Sequence, residues 1–349
     1  MKKLKLSFAI VPVLLASSGC QPKKVDDASS ATRYLYIQSG GCFAPTGLTA
    51  SNASKTISRI NLTNGTVDRT IVDYTANLTD TPVAIAPLDA DNIYVLIENT
   101  GGRRVEILNK TSGASQNFLV NGTALTGVVR SMNFASDGSI IISKSSAVER
   151  FSSSKTRLPN TGTTFMSAPA GTCATSTNAI TATAMTKAGD LMYAHSFSSA
   201  SANNRIGMTT GSAAAASTCY NGYGSPNIAA FPTAMAYIGS MNHLLVAYSS
   251  STIALNQVMA YTVDETAHTM TQAASAAYST TSVINGPTAI AYDSATGFVY
   301  VANGTTVNAN SIEKFTYDPT SQALTRVGTT PFSSATVNHN CINSMFVGI

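Results

Sequence analysis

Short runs of alternating apolar and polar residues, separated by turn-forming residues, extend over most of the chain. The segment Asn285–Gly304 reads NGPTAIAYDSATGFVYVANG. Its residues from Thr288 to Tyr292 alternate with a period of two, a turn follows at Asp293–Gly297, and FVYVAN from Phe298 forms a second run. This pattern predicts two antiparallel β-strands joined by a tight turn.

The same unit recurs along the chain. Related segments begin at Thr81, Gly127, Asn178, Phe231 and Asn285, so successive repeats start 46 to 54 residues apart. A third run follows each pair, such as RRVEILNK, NQVMAYTV or NSIEKFTY, and a weaker fourth follows that, such as LTRVGTT. Four short antiparallel strands per repeat, joined by Gly, Asp and Asn turns, are typical of a β-propeller blade.

The two ends of the repeating region complete one further blade. CINSMFVGI from Cys341 has the pattern of a first strand, and TRYLYIQSG from Thr32 has that of a second strand. KTISRINLT from Lys55 and TVDRTIVDY from Thr66 supply the third and fourth. The sequence therefore predicts an all-β chain forming a single β-propeller of six four-stranded blades, closed by pairing of N- and C-terminal strands, with a seven-bladed ring as the alternative.

These repeats resemble those of the YVTN surface-protein and lactonase-like propeller families. GPTAIAYDSATGFVYVANG carries the resemblance most closely, and TPVAIAPLDADNIYVLIEN carries it more loosely. It covers residues 32–349 as an architecture. Because propellers include binding proteins, scaffolds and enzymes, the resemblance implies a fold rather than a function. The absence of Trp distinguishes the chain from WD-repeat and quinoprotein-type propellers.

The N-terminal segment has the features of an export signal. Basic residues within the first five positions precede an apolar run that ends at Ala16, and small residues lead to Cys20. This pattern resembles the bacterial lipoprotein signal, with Ser17 in place of the usual Leu. The resemblance implies that residues 1–19 are removed and that Cys20 carries the lipid. An ordinary cleaved signal followed by a free cysteine is the alternative.

The predicted mature chain begins with a short polar stretch. Residues 20–31 show no periodicity and predict a flexible tether ahead of the propeller domain, residues 32–349. Gln21, rather than Asp, follows the lipidated cysteine, and the enterobacterial sorting pattern then implies the outer membrane. We therefore expect a protein of the bacterial cell envelope that contacts the membrane through its lipid anchor, on either the periplasmic or the surface side.

The net charge of the chain argues against nucleic-acid binding. The chain has 21 Lys and Arg against 17 Asp and Glu; without the signal lysines, 21 − 3 leaves 18 basic residues and a net charge of +1. This balance gives no electrostatic footprint for nucleic acid, so no nucleic-acid partner is expected. After the signal, no apolar run has the length of a transmembrane helix.

Four cysteines follow Cys20 in a chain predicted to be exported, which favours two disulfides. In a propeller, the loops between second and third strands share a face with the loops that enter the next blade, and all four cysteines fall on that face. We expect Cys42 to pair with Cys341 across the closing blade, and Cys173 to pair with Cys219 in loops entering adjacent blades. Four free thiols are the alternative.

The face that carries the cysteines, called the long-loop face below, also carries the longest predicted connections, 39–54, 168–179 and 219–231. Long loops on a rigid scaffold commonly hold binding residues. Tyr220 and Tyr223 lie among glycines in CYNGYGSPNIAAF and are suited to stacking on sugars or anchoring a protein partner. Packing over the tops of the blades is the alternative.

A second set of candidates consists of polar residues at the ends of first and second strands, where they would surround the channel mouth. In lactonase-like propellers, a metal ion held there by carboxylate and amide oxygens activates the substrate. The resemblance implies ligand roles for Asp80, Glu98, Asn178, Asn285 and Asn303, with Asn99, His339 and Asn340 beside them. The alternative, which the residue types alone favour, is that Asn and Asp cap strands and form turns at these positions.

The rest of the sequence has no motif for enzyme chemistry. The four histidines lie in different repeats without HxH or HExxH spacing, and no nucleophile elbow precedes a helix. Asp137, Asp190 and Asp293 are interpreted as turn formers on the opposite face. The sequence favours a binding or protein-interaction module without cofactor or metal, with an envelope protein or glycan as partner. The alternatives are a metal-dependent lactonase-like hydrolase and a glycan-binding surface protein.

Overall fold

The computed structural model describes residues 32–40, 55–77, 79–99, 102–119, 125, 129–135, 137–144, 147–152, 154–155, 157–158, 179–196, 205–209, 218–221, 230–304, 311–334 and 342–349. The predicted signal, 1–19, and tether, 20–31, lie outside these residues. Contacts divide the chain into two units, Met1–Thr32 and Arg33–Ile349, and the second unit contains every strand described below. No helix among the described residues has the length and apolar character needed to span a bilayer.

The described residues form six four-stranded antiparallel sheets, the blades of a propeller. The chain enters with three strands of the closing blade, β1 (Tyr34–Ser39), β2 (Thr56–Asn61) and β3 (Val67–Asp73). Blade 1 contains β4 (Asp80–Pro87), β5 (Asn92–Asn99), β6 (Gly102–Asn109) and β7 (Ser115–Leu119). Blade 2 contains β8 (Val129–Phe134), β9 (Ile140–Lys144), β10 (Val148–Phe151) and β11 (Arg157–Leu158).

The remaining strands complete the ring. Blade 3 contains β12 (Ala179–Met185), β13 (Leu191–Ser196), β14 (Arg205–Thr209) and β15 (Thr218–Asn221). Blade 4 contains β16 (Phe231–Ile238), β17 (His243–Ser249), β18 (Gln257–Asp264) and β19 (Thr269–Gln272). Blade 5 contains β20 (Pro287–Tyr292), β21 (Phe298–Asn303), β22 (Ile312–Asp318) and β23 (Ala323–Arg326), and β24 (Ile342–Gly348) returns to the closing blade. A short 3-10 turn, Ile253–Leu255, precedes β18.

Closure of the ring follows the predicted pairing of the chain ends. β24 lies antiparallel to β1, with Leu35 opposite Val347 and Ile37 opposite Met345. The first strands contact one another in the cyclic order β4, β8, β12, β16, β20, β24 and back to β4. The prediction of six blades is therefore confirmed, and the ring has no open edge between its first and last blades.

The hydrophobic core is divided into layers between neighbouring blades. The described residues form six apolar clusters, one for each of the six gaps between adjacent blades. Tyr300 of blade 5, for example, packs in the same cluster as Leu35 of the closing blade. Because blades are covered on both faces, second strands such as β9 and β17 are buried along their whole length. This two-sided burial explains their nearly continuous apolar sequences.

The turn between the first and second strands of blade 5 forms as predicted. The N–H of Gly297 donates to the carbonyl of Asp293 at 2.8 Å, and the N–H of Asp293 donates to the carbonyl of Phe298 at 2.8 Å. Gly297 has a φ of +76°, a conformation that glycine adopts without steric cost. These turns define the face opposite the long-loop face, called the turn face below.

Candidate functional site

Every first strand carries a β-bulge at the same position, near its start on the long-loop face. In each strand the register skips one residue, and a bulge redirects the side chain of that residue. The skipped residues are Val83, Arg130, Thr181, Thr233, Thr288 and Asn343. These six residues, the bulge ring, line one cavity of about 30 Å³. The ring therefore forms the neck of the central channel.

The threonines of the bulge ring connect neighbouring blades. Each hydroxyl donates to the main-chain oxygen of the residue that precedes the bulge in the next blade. The bonds run from Thr181 Oγ1 to Pro232 at 2.6 Å, from Thr233 Oγ1 to Pro287 at 2.7 Å, and from Thr288 Oγ1 to Ile342 at 2.6 Å. Between the closing blade and blade 1, Gln38 Nε2 donates to the oxygen of Pro82 at 2.7 Å. These bonds hold the neck in one geometry.

Arg130 is the charged member of the bulge ring. Burial lowers the pKa of Arg130 to about 10, although the attraction of nearby Glu98 raises it in part. The guanidinium therefore stays protonated at neutral pH. Glu98 also accepts a hydrogen bond from Arg103 at 3.0 Å. The carboxylate of Glu98 therefore lies near two arginines, Arg103 and Arg130.

Beyond the neck, the channel widens, and both polar and apolar side chains line it. A cavity of about 270 Å³ follows the bulge ring, and small residues such as Ala182, Ala234 and Ala289 line it. A second cavity of about 460 Å³ lies toward the turn face, where Met235 and Tyr292 contribute to its wall. Polar contacts in this region serve the fold. Ser344 Oγ, for instance, bonds both the N–H and the carbonyl of Ile85 at 3.2 Å.

Asp80, a predicted metal ligand, lies at the start of β4 in an ion pair. Arg104 donates two hydrogen bonds to its carboxylate, at 2.8 and 3.1 Å, and Asn77 and Asn99 donate further bonds. The bonds from Arg104 in particular lower the pKa of Asp80 below its usual range, despite the opposing effect of burial. Arg104 also donates to Glu106 at 2.7 Å. The carboxylate of Asp80 therefore serves a structural network.

Asn285 and Asn303, also predicted at the channel mouth, are brought together by the structure. The side-chain oxygen of Asn303 accepts from the N–H of Asn285 at 3.0 Å. Its amide nitrogen donates to the carbonyl of Val283 at 2.8 Å and to Ser311 Oγ at 3.0 Å. Asn303 thus fastens the chain that enters blade 5 to the strands beside it. This contact is the capping role that the sequence offered as the alternative.

Other predicted site residues lie outside the described part of the chain, or have no described side chain. Those outside it are Cys20, Cys42, Cys173, Cys341, Tyr223, Asn178, His339 and Asn340. Cys219 and Tyr220 belong to β15, but their side chains are not described. The disulfide, lipid and tyrosine roles therefore stay predictions. Within the described ranges, no cluster of three or more His, Cys, Asp or Glu residues is arranged to hold a metal ion.

Two of the aspartates predicted to form turns also make contacts between neighbouring blades. Asp293 accepts from the N–H of Ala295 at 3.0 Å, as expected of a turn former. It also accepts two hydrogen bonds from Arg33 of the closing blade, one of them at 2.8 Å. Asp190 likewise contacts His268 Nδ1 at 2.8 Å, across the gap between blades 3 and 4. These aspartates therefore join neighbouring blades on the turn face.

The bulge ring was not among the predicted sites. In three blades, the skipped residue directly follows a proline. These residues are Val83 in TPVAIA, Thr233 in FPTAMA and Thr288 in GPTAIA. Proline has no N–H for the strand ladder and therefore suits a bulge on an edge strand. The other three blades lack this proline, so alignment of the bulges becomes evident only from strand pairing.

Comparisons with known proteins agree on the architecture. No protein-family model matches the chain, and no curated protein sequence matches it. Among solved structures, it is similar to a structure from a nidogen/laminin complex, with a TM-score of 0.55 and 10% identity over 91% of this chain and 99% of that chain. It is also similar to the periplasmic gluconolactonase PpgL of Pseudomonas aeruginosa, with a TM-score of 0.53 and 13% identity over 91% and 99% of the two chains.

TolB of Acinetobacter baumannii is a third similar structure, with a TM-score of 0.51 and 11% identity over 90% of this chain and 66% of that chain. At these identities, the similarity concerns the fold alone. The protein is a six-bladed β-propeller, and these similarities support that fold.

Proposed function

We propose that this protein is a lipid-anchored binding module that recognises a protein partner in the bacterial envelope through its long-loop face. The proposal rests on the ion-pair and hydrogen-bond partners of the polar residues on that face. Of the predicted ligands there, Asp80 is ion-paired with Arg104 and Asn303 fastens a loop. The rigid bulge ring, by contrast, presents a charged side chain at the neck. Such a scaffold suits recognition more than metal-assisted chemistry.

The start of β1 shows at which face of the propeller the preceding segment joins it. β1 is the second strand of the closing blade, so it starts at the turn face, where Arg33 contacts Asp293. The predicted tether, residues 20–31, joins the ring on that side and reaches at most about 40 Å when fully extended. A lipid at Cys20 would therefore be linked in the chain to the turn face rather than to the long-loop face.

A lactonase-like hydrolase is the second candidate, because the fold is similar to that of a periplasmic gluconolactonase. It requires a divalent ion at the channel mouth. Elemental analysis of protein purified without chelator, together with an assay of gluconolactone hydrolysis, tests it. One bound ion per chain, and turnover that is lost when a chelator removes the ion and restored when it is added back, would favour the hydrolase over the binding module.

The binding proposal is tested by chemical cross-linking in intact envelopes, pull-down of the tagged protein and mass spectrometry. We expect one stoichiometric partner, which is lost in the double variant Tyr220→Ala/Tyr223→Ala. The matched control is Tyr292→Ala, on the turn face, which should retain the partner. Background proteins alone, or retention of the partner by the double variant, would contradict this proposal.

The anchor and the disulfides have separate tests. Labelled palmitate should be incorporated into the wild-type chain and not into Cys20→Ala, and equal labelling would refute lipidation at this residue. Peptide mapping without reduction should recover Cys42 linked to Cys341 and Cys173 linked to Cys219. For the first pair, the described neighbours support the proposal, since Ser39 pairs with Ile342 at that end of the closing blade.

A further inference from the structure

The two cavities beyond the bulge ring, together called the chamber below, are narrow at the neck and wide at the turn face. They share wall residues such as Asn133, Ile290 and Phe346, so they are continuous. The larger cavity reaches Ser240 and Ser294 in turns on the turn face. The neck of about 30 Å³ holds about one water molecule at liquid density. A molecule larger than water would therefore enter the chamber from the turn face.

Edge strands form the wall of the chamber. Each first strand lies at the end of its sheet, so alternate residues turn their N–H and C=O groups away from the second strand. The residue two places beyond the bulge has this orientation. In blade 1 it is Ile85, whose N–H and carbonyl both contact Ser344 Oγ of the closing blade at 3.2 Å. In blade 3 it is Thr183, whose carbonyl accepts from Asn133 Nδ2 of blade 2.

The equivalent positions of the other four blades offer main-chain groups to a ligand. They are occupied by Met132, Met235, Ile290 and Met345, which all line the chamber. Among the described residues, no side chain bonds their outward N–H or C=O groups. Each position therefore presents one donor and one acceptor, so the wall has both kinds of group on several sides.

Asn133 adds a side-chain acceptor to this set. Its Nδ2 bonds both the carbonyl and the hydroxyl of Thr183, the latter at 3.2 Å. No group of the described residues donates to its Oδ1, and the half-buried side chain lines both cavities. Because the bonds to nitrogen fix the amide, its oxygen is held in place to accept from an O–H or N–H group.

The wall of the chamber favours a neutral ligand with hydroxyl groups. Among its described residues only Arg130, at the neck, is charged, and Arg130 already has partners in the fold. An ion deeper in the chamber would lose hydration without a counter-charge, which is costly. A hydroxyl group, in contrast, both donates and accepts, as the main-chain groups do. Phe134 and Phe346, each stacked on a tyrosine at 5.0 Å, add flat apolar surfaces for the C–H face of a ring.

We infer that the chamber is a binding site for one neutral polyhydroxylated ring, which enters from the turn face. Its hydroxyl groups bond the outward main-chain groups and Asn133 Oδ1. The inner cavity of about 270 Å³ has the volume of about nine water molecules, which suits a molecule as large as a single sugar. A free monosaccharide and the terminal sugar of a glycan share this chemistry. The chamber lies across the neck from the long-loop face, so the inference goes beyond the proposed function and does not depend on it.

The test is saturation-transfer NMR on the whole mature chain, with glucose, galactose and N-acetylglucosamine as probes and calorimetry for the affinity. We expect at least one of these sugars to bind, and the charged analogues glucosamine and glucuronate to bind more weakly. Methyl glycosides identify the source. Either result upholds the inference, since retained binding indicates a terminal sugar and lost binding a free monosaccharide. Absence of binding for every neutral sugar at millimolar concentration, or preference for a charged analogue, would overturn the inference.

Substitution at the turn-face mouth locates the site without disturbing the core. Ser294 is exposed and lines the outer cavity, so Ser294→Trp places a bulky ring at the entrance. It should weaken sugar binding by about tenfold or more, because the indole obstructs the ligand. Ala295→Trp is the matched control, since Ala295 is exposed in the same turn but is not part of the described chamber wall. Its affinity should stay within about twofold of wild type.

Substitution of the side-chain acceptor tests the polar contact. Asn133→Leu should weaken sugar binding by about threefold to tenfold, the usual effect of losing one neutral hydrogen bond. Unchanged binding in both Ser294→Trp and Asn133→Leu, or loss of binding in Tyr220→Ala/Tyr223→Ala instead, would refute a site in the chamber. The pull-down separates the two proposals, because Ser294→Trp should retain the envelope partner while it loses the sugar. Sugar binding that depends on Ser294 and Asn133, without any envelope partner, would refute the proposed function and uphold the chamber site.

Discussion

Removal of one hydrogen bond from the bulge ring is expected to loosen the junction between blade 5 and the closing blade. Thr288, which is 9% exposed, donates its hydroxyl to the carbonyl of Ile342 at 2.6 Å. Thr288→Val replaces this hydroxyl with a methyl group of similar size. The side chain then keeps its packing, but the carbonyl of buried Ile342 loses this donor.

The size of the effect follows from the burial of the acceptor. Leaving a buried carbonyl without its partner costs about 1–3 kcal/mol. Unfolding entropies of about 2.1 cal/mol/K per residue give roughly 0.6 kcal/mol/K for a unit of about 300 residues. Thr288→Val should therefore lower the Tm by roughly 2–5 °C, a shift that thermal unfolding followed by circular dichroism resolves.

The matched control is Thr316→Val in the same blade. Thr316 is exposed, and its hydroxyl contacts the carbonyl of Thr325 at 3.4 Å, within the blade rather than between blades. Its substitution should change the free energy of unfolding by less than about 0.5 kcal/mol. Equal losses for the two variants, or an unchanged Tm for Thr288→Val, would refute the view that these threonines hold the blades together.

Two further predictions concern the turns. Burial alone would raise the pKa of Asp293, but hydrogen bonds from Arg33 and from the turn outweigh it, and the pKa is lowered. The carboxylate of Asp293 should therefore stabilise the folded protein above about pH 4, and this contribution should be lost at more acidic pH. Urea midpoints of Asp293→Asn should accordingly depend less on pH in this range than those of the wild type. Gly65→Ala should destabilise far more than Gly138→Ala, although both have positive φ, because a Cβ at Gly65 would lie 1.7 Å from the carbonyl of Phe332, whereas nothing lies within 4 Å at Gly138. Similar urea midpoints for both alanine variants would contradict this account.

The β-bulges limited how much of the candidate site could be predicted from the sequence. Asn285 and Asn303 were each predicted at the channel mouth, and the structure brings them into contact through a hydrogen bond. No residue of the bulge ring was predicted as a site, and at Arg130 the segment GVVRSMNF also lacks the proline that precedes the bulge in three blades. A bulge is a property of two paired strands, so one strand read alone does not reveal which residue is skipped.

The architecture, in contrast, was determined by local sequence. Alternation with a period of two, turn residues at regular spacing, and complementary end segments were sufficient for the strands, the six blades and the closure between β24 and β1. These features depend on backbone preferences and on burial of one or both strand faces, which short segments already encode.

Tertiary structure alone decided which side chains meet. Arg33 and Asp293 are 260 residues apart in the chain, yet they form an ion pair across two blades. The bulge ring likewise gathers one residue from each of six blades around a single neck. Such contacts depend on how complete blades pack around a common axis, because only that packing sets the distance between residues remote in sequence.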